Sequence, residues 1–201
     1  MIAVYGGSFN PVTIAHMKIV ESVLNIDEIH KIILLPLADN YGKPDLAKAI
    51  HRYNMLKLCF SDNRRVKISS LDMRTPEQLT TIEYMDIFAE IFDEQLAFVM
   101  GTDNLEHFTS WNDSEELLQK YYHVVIKRDE DDINKIVEND ELLTKYKNKI
   151  IVIDNIGIDK ETLMGMCATN VRSYFREGRF TDLDKCIVED VKAYMMENKV
   201  Y

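Results

Sequence analysis

The sequence predicts an α/β fold: a Rossmann-like doubly wound parallel sheet with helices on both faces and a small helical C-terminal part. Three observations carry this. Six short apolar, β-branched runs recur along the chain, longer segments with helical apolar spacing separate them, and the first run breaks into a Gly-Gly loop ahead of a helix. Short strands alternating with helices build βαβ units, and parallel strands covered on both faces read as near-continuous apolar runs.

The first strand is expected at Ile2–Tyr5, running into Gly6-Gly7. A helix follows over Ile14–Leu24, where Met17, Val20, Val23 and Leu24 share one face. Further strands are expected at Lys31–Leu37, Val66–Leu71, Leu96–Met100, His123–Lys127 and Lys149–Asp154. Right-handed crossovers then set the ends of the first and fourth strands beside one ligand crevice. The charged stretch from Lys127 to Lys149 reads as a solvated helical face. From about Asn170 the pattern is helical: "RSYFREG" closes at Gly178, and a second helix begins after Thr181 with Asp182 and Asp184 in its first turn. With no internal repeat and no low-complexity linker, residues 1–201 read as a single domain whose helical C-terminal part covers about 170–201.

Composition narrows the partners. The chain carries 24 Lys and Arg against 34 Asp and Glu, a net charge of −10, which disfavours a nucleic-acid backbone as ligand. A small polyanion can still bind where amides and one or two cations converge. Cys59, Cys167 and Cys186 are widely spaced, pointing neither to a disulfide framework nor to a zinc site, and Cys167 is expected as a small buried side chain. No apolar run approaches the ~20 residues of a membrane span, and the opening strand leaves no room for a signal peptide. The expected protein is cytoplasmic; a homo-oligomer is left open.

The loop after the first strand is the most informative segment. Gly6-Gly7 lets a ligand approach the backbone, Pro11 fixes the turn, and Thr13 suits the N-cap of the following helix. Loop amides and a helix N-terminus would converge on an anion. Neither Gly-x-Gly-x-x-Gly nor Gly-Lys-Ser/Thr is present. On pattern alone, a phosphate loop and a tight turn with one buried polar histidine fit equally.

The segment "GGSFNPVTIAH" resembles the first motif of the nucleotidyltransferase superfamily, (His/Thr)-x-Gly-His after a Gly-x-Phe-Asp/Asn-Pro loop, and in particular that of the nicotinate or nicotinamide mononucleotide adenylyltransferases. Thr13 stands at the first His, His16 at the second, Ala15 replaces the Gly and Asn10 the Asp common in bacterial members. Three further segments resemble that family in the same order. "LLPLADNYGKPDLAKAIHRYNMLKL" places Lys43, Arg52 and Met55; "FVMGTDNLEHFTSW" places Gly101, Asp103 and Trp111; and "CATNVR" places Thr169 and Arg172, with Cys167 and Ala168 where serines are usual. "LTTIEYM" is a weaker match through Thr81 and Glu83.

The resemblance implies adenylyl transfer from ATP to nicotinate mononucleotide, giving nicotinate adenine dinucleotide and pyrophosphate in NAD biosynthesis. It implies His16, Thr13 and Arg172 as the catalytic set. ATP would lie against Gly7, Ser8, Phe9 and His16 in the loop, Gly101 and Asp103 at the fourth strand, and Thr169 and Arg172 at the C-terminal helix. Asn10, Lys43, Thr81 and Trp111 would hold the mononucleotide. Mg²⁺ would enter bound through the ATP phosphates, with no protein metal ligands, which makes "DEDD" at residues 129–132 a poor metal site. His30, His51, His107 and His123 read as structural or surface residues. The alternatives are another superfamily transferase, acting on pantetheine phosphate or with a cytidylyl donor, and a non-catalytic nucleotide-binding protein motivated by Ala15, Cys167 and Ala168.

Overall fold

A computed structural model of the chain describes residues 1–42, 45–75, 77–127 and 132–201. Lys43 and most of "DEDD" lie outside the described residues. Six strands, β1 (Ile2–Gly7), β2 (Lys31–Pro36), β3 (Val66–Ile68), β4 (Leu96–Gly101), β5 (Tyr122–Ile126) and β6 (Ile150–Ile153), form one sheet in the order β3-β2-β1-β4-β5-β6. Each neighbouring pair is parallel. All six expected strands are present.

The helices between them are α1 (Ile14–Leu24), α2 (Ala49–Phe60), α3 (Leu71–Arg74), α4 (Thr81–Phe92), α5 (Thr102–Leu105), α6 (Ser114–Lys120), α7 (Ile133–Glu138), α8 (Glu141–Lys145), α9 (Lys160–Gly165), α10 (Ala168–Arg176), α11 (Phe180–Leu183) and α12 (Glu189–Asn198). They cover both sheet faces because strand side chains alternate. Ala3, Ile32, Leu34 and Ala97 face a core shared with α1, α2, α10 and α12, whereas Ile2, Val4, Ile33 and Leu96 face α4, α6 and α8. Each fully buried Leu or Ile contributes roughly 1.5–3 kcal/mol, so the two cores hold the sheet rigidly under its loops. Helices α7 and α8 lie within the charged stretch; their Ile133 and Leu143 are buried while Lys135, Glu138, Glu141 and Lys145 are exposed.

Two expectations need correction. The second C-terminal helix does not begin after Thr181. A single turn, α11, precedes it, Asp182 pairs with Arg179 at 2.7 Å, Asp184 caps that turn, and the long helix starts at Glu189. Cys186 and Ile187 enter the core, and the Cys186 carbonyl accepts from the Ile14 N–H at 2.8 Å, which interrupts any continuous helix. Cys167 is exposed, not buried, because it caps α10 at its solvent end. The helical run also begins earlier than Asn170, with α9 at Lys160.

Candidate active site

The site is set by where two strands part. β1 pairs with β4 only from Ile2↔Leu96 to Val4↔Phe98, yet keeps pairing with β2 as far as Gly7↔Pro36. Beyond Val4 the two central strands separate, opening the crevice that a doubly wound sheet has where its strand order reverses.

The β1 loop lines that crevice. A Cβ on Gly6 would meet the Tyr84 hydroxyl at 3.2 Å, and one on Gly7 would meet the Phe9 ring at 3.3 Å, so the glycines let two aromatic rings close on the strand end. Phe9 has φ +45° and is 1% exposed, its ring 5.3 Å from Tyr5 and 5.2 Å from His16. Phe9 therefore backs the imidazole. Thr13 caps α1 and is buried; its backbone N–H donates to His16 Nδ1 at 3.1 Å and its Oγ1 lies 2.8 Å from the same atom. An N–H cannot accept, so Nδ1 is the acceptor and a neutral ring carries its proton on Nε2. The Ile14 amide is already taken by the Cys186 carbonyl, so the first free donor of α1 is not available to a ligand.

Behind the loop lies a hydrogen-bonded frame. The Asn10 side chain is 4% exposed: Nδ2 donates to the Asp45 carbonyl at 2.9 Å, and Oδ1 accepts from the Ala47 N–H at 3.0 Å and from the Tyr201 hydroxyl at 2.7 Å. The Asn10 carbonyl accepts from Arg172 Nη1 at 2.8 Å, while Arg172 Nη2 reaches Thr169 Oγ1 at 3.3 Å. The Arg172 Nε is buried with no partner among the described residues. Arg52 is fully buried and donates to the carbonyls of Ala47 at 2.7 Å, Ser8 at 2.9 Å and Leu37 at 2.5 Å. Burial lowers its pKa, and Asp39 opposes that shift. A buried guanidinium without such partners would cost several kcal/mol. Asp72, also buried, accepts from the Ala38 N–H at 2.6 Å and fixes the chain after β2.

On the other side of the β1 end is a hollow of about 270 Å³. Its lining includes Gly7, Ser8, Thr81, Tyr84, Phe98 and Trp111. Trp111 is wedged against Phe108 at 5.1 Å and Phe98 at 6.2 Å. Thr81 opens α4, whose N-cap Thr80 exchanges hydrogen bonds with Glu83. Burial pushes the Tyr84 phenol pKa up, so the hydroxyl keeps its proton.

The loop residues and Arg172 with Thr169 are thus bound into one frame, and Thr81, Trp111, Gly7 and Ser8 share one hollow. Gly101 ends β4 and Asp103 is exposed on α5. Asn10 does not present its side chain to a ligand; its amide is used inside the protein. Arg52, Asp72, Tyr84 and Tyr201 are the site residues given no role by sequence reasoning. Ala49, Arg52, Leu56 and Phe60 share the buried face of α2, so an arginine in that stripe was a signal available in the spacing. His123 is fully buried between Phe98 and Phe108, and burial lowers its pKa to about 4. Among the described residues no three His, Cys, Asp or Glu side chains gather as a metal site.

Comparison with known proteins gives a consistent picture. The Cytidylyltransferase-like family matches residues 4–173. The probable nicotinate-nucleotide adenylyltransferase of Caldicellulosiruptor bescii is 32% identical over 159 residues, covering 79% of this chain and 81% of the relative. The protein of that description from Caldicellulosiruptor saccharolyticus is 27% identical over 201 residues, covering 100% of this chain and 98% of its own. Among solved structures, the Plasmodium falciparum nicotinic acid mononucleotide adenylyltransferase complexed with NaAD superposes with a TM-score of 0.80 at 22% identity, covering 100% of this chain and 96% of the other, a likeness of fold.

Proposed function

We propose, because this chain belongs to the Cytidylyltransferase-like family, that it is a nucleotidyltransferase that moves the adenylyl group of ATP to nicotinate mononucleotide. The single observation that carries the reading is the parting of β1 and β4 beyond Val4 and Phe98, with the His16 loop and the aromatic hollow meeting at the gap. In the reaction a phosphate oxygen of the mononucleotide attacks the α-phosphorus of ATP. The bond from that phosphorus to the bridging oxygen breaks, pyrophosphate leaves with the electron pair, and the dinucleotide forms. The substrate supplies its own nucleophile, so the protein's part is alignment and charge stabilisation. An effective molarity of about 10⁵ M already corresponds to roughly 7 kcal/mol of barrier.

His16 Nε2–H is the donor assigned to the phosphate oxygens whose charge grows in the transition state, and Thr13 holds the ring in that tautomer. Thr169 and Arg172, side by side in the first turns of α10, are assigned to the outer phosphates. Gly7 and Ser8 border the triphosphate, with Gly101 and Asp103 toward the adenosine. Trp111 and Thr81 line the pocket for the pyridine ring, and Lys43 is assigned to the mononucleotide's phosphate. Asn10 and Phe9 shape the loop from behind. The hollow lies at the N-terminus of the 12-residue helix α4, a setting that favours a carboxylate over a carboxamide on the ring. Mg²⁺ arrives with ATP, held by phosphate oxygens and water. The chain acts as one domain in the cytoplasm.

The test is pyrophosphate release with ATP and, in turn, nicotinate mononucleotide, nicotinamide mononucleotide and phosphopantetheine. Turnover is expected with the mononucleotides, faster with nicotinate. Silence with both beside turnover of phosphopantetheine would overturn the reading.

A further inference from the structure

We propose that Tyr201 is a positioning residue for adenylyl transfer, aiming Arg172 through Asn10. The inference rests on the function proposed above and adds a residue from outside the site motifs. The Asn10 amide has a fixed orientation, because its Nδ2 faces the Asp45 carbonyl, an obligate acceptor, and its Oδ1 faces the Ala47 N–H, an obligate donor. The Tyr201 hydroxyl, 2.7 Å from that same Oδ1, must therefore be the donor. Burial pushes the phenol pKa up, so the group stays protonated and keeps donating.

The bond matters because of what the other side of Asn10 holds. Its carbonyl accepts from Arg172 Nη1 at 2.8 Å, so the residue gripped by Tyr201 is the one that orients the guanidinium. The two are joined a second time through α10, where the Phe175 ring meets the Tyr201 ring at 6.3 Å, one turn beyond Arg172. The next residue, Arg176, pairs with Asp45 at 3.1 Å, tying α10 to the chain segment whose carbonyl Asn10 uses. Tyr201, Asn10, Asp45 and α10 thus form a closed ring of contacts around Arg172. Loosening one member lets the guanidinium wander, and a misplacement of about 1 Å can cost ~10²-fold in rate.

The experiment is a double-mutant cycle of Y201F and R172A, reading kcat and KM for ATP by pyrophosphate release and the melting temperature of each protein. Y201F removes one hydroxyl and keeps the ring against Phe175. It should lower kcat/KM for ATP about tenfold while the melting temperature stays within a few degrees of wild type. In the R172A background the same change should have no further effect, because the group it positions is gone; a purely structural residue would instead act equally in both backgrounds. Y201F within twofold of an active wild type, or additive effects in the double variant, would overturn the role of Tyr201 and leave the adenylyltransferase reading standing. A folded wild type that releases no pyrophosphate with ATP and either mononucleotide overturns both.

Discussion

The backbone N–H of Thr13 donates to Nδ1 of His16 over 3.1 Å, and that bond settles which ring nitrogen carries the proton. The residue three positions before the histidine therefore sets the ring's tautomer from within, by holding it as an Nε2–H donor.

Replacing His16 with Ala removes the assigned phosphate donor while leaving the Thr13 cap. We expect kcat to fall about 10²–10³-fold, with the melting temperature little changed. Steady-state pyrophosphate release measured beside thermal unfolding checks both halves. A fall below tenfold would show that His16 serves packing only.

Arg52→Ala strips donors from the carbonyls of Ala47, Ser8 and Leu37 at once. It should cost on the order of 3–5 kcal/mol of stability in urea unfolding and raise the KM for both substrates, since Ser8 lies in the loop proposed to border them. Arg52→Lys should recover little of this, because one ammonium cannot reproduce the guanidinium fork.

Trp111 is the only tryptophan in the chain, so its fluorescence reports on the hollow alone. Nicotinate mononucleotide should change that emission on titration, and Trp111→Ala should raise the mononucleotide KM about tenfold with a smaller effect on the KM for ATP.

His123 makes stability depend on pH. Its folded pKa, about 4, lies below the ordinary 6.5, so between these values the unfolded chain binds more protons than the native one. Stability is full above pH 6.5 and drains away as pH falls towards 4, by on the order of 3 kcal/mol. Urea unfolding at pH 7 and pH 4.5 should show the loss, and His123→Phe should reduce it.

The strands are legible in the sequence for a physical reason. Ile2–Val4 and Leu96–Met100 are covered on both faces, so every position must be apolar and the run stands out. The loop motif is legible because Thr13 and His16 stand three apart at a helix start, where geometry leaves few choices. The frame behind it is not. Asn10 meets Asp45, Arg172 and Tyr201 across 35, 162 and 191 positions, and no local pattern encodes a pair so distant. The break between α11 and α12 is hidden likewise, since it depends on the Cys186 carbonyl meeting the Ile14 amide across the fold.

The bond between Tyr201 and Asn10 also has a bearing on synthesis. A chain leaving the ribosome can pair β1 with β2 early, since they are near in sequence, but the loop after β1 waits for a partner made at position 201. Closure of such a long-range contact is slow relative to local structure. The nascent chain can therefore acquire much of its sheet before the loop after β1 is set, and activity should emerge as a late event of folding, after most of the stability is in place.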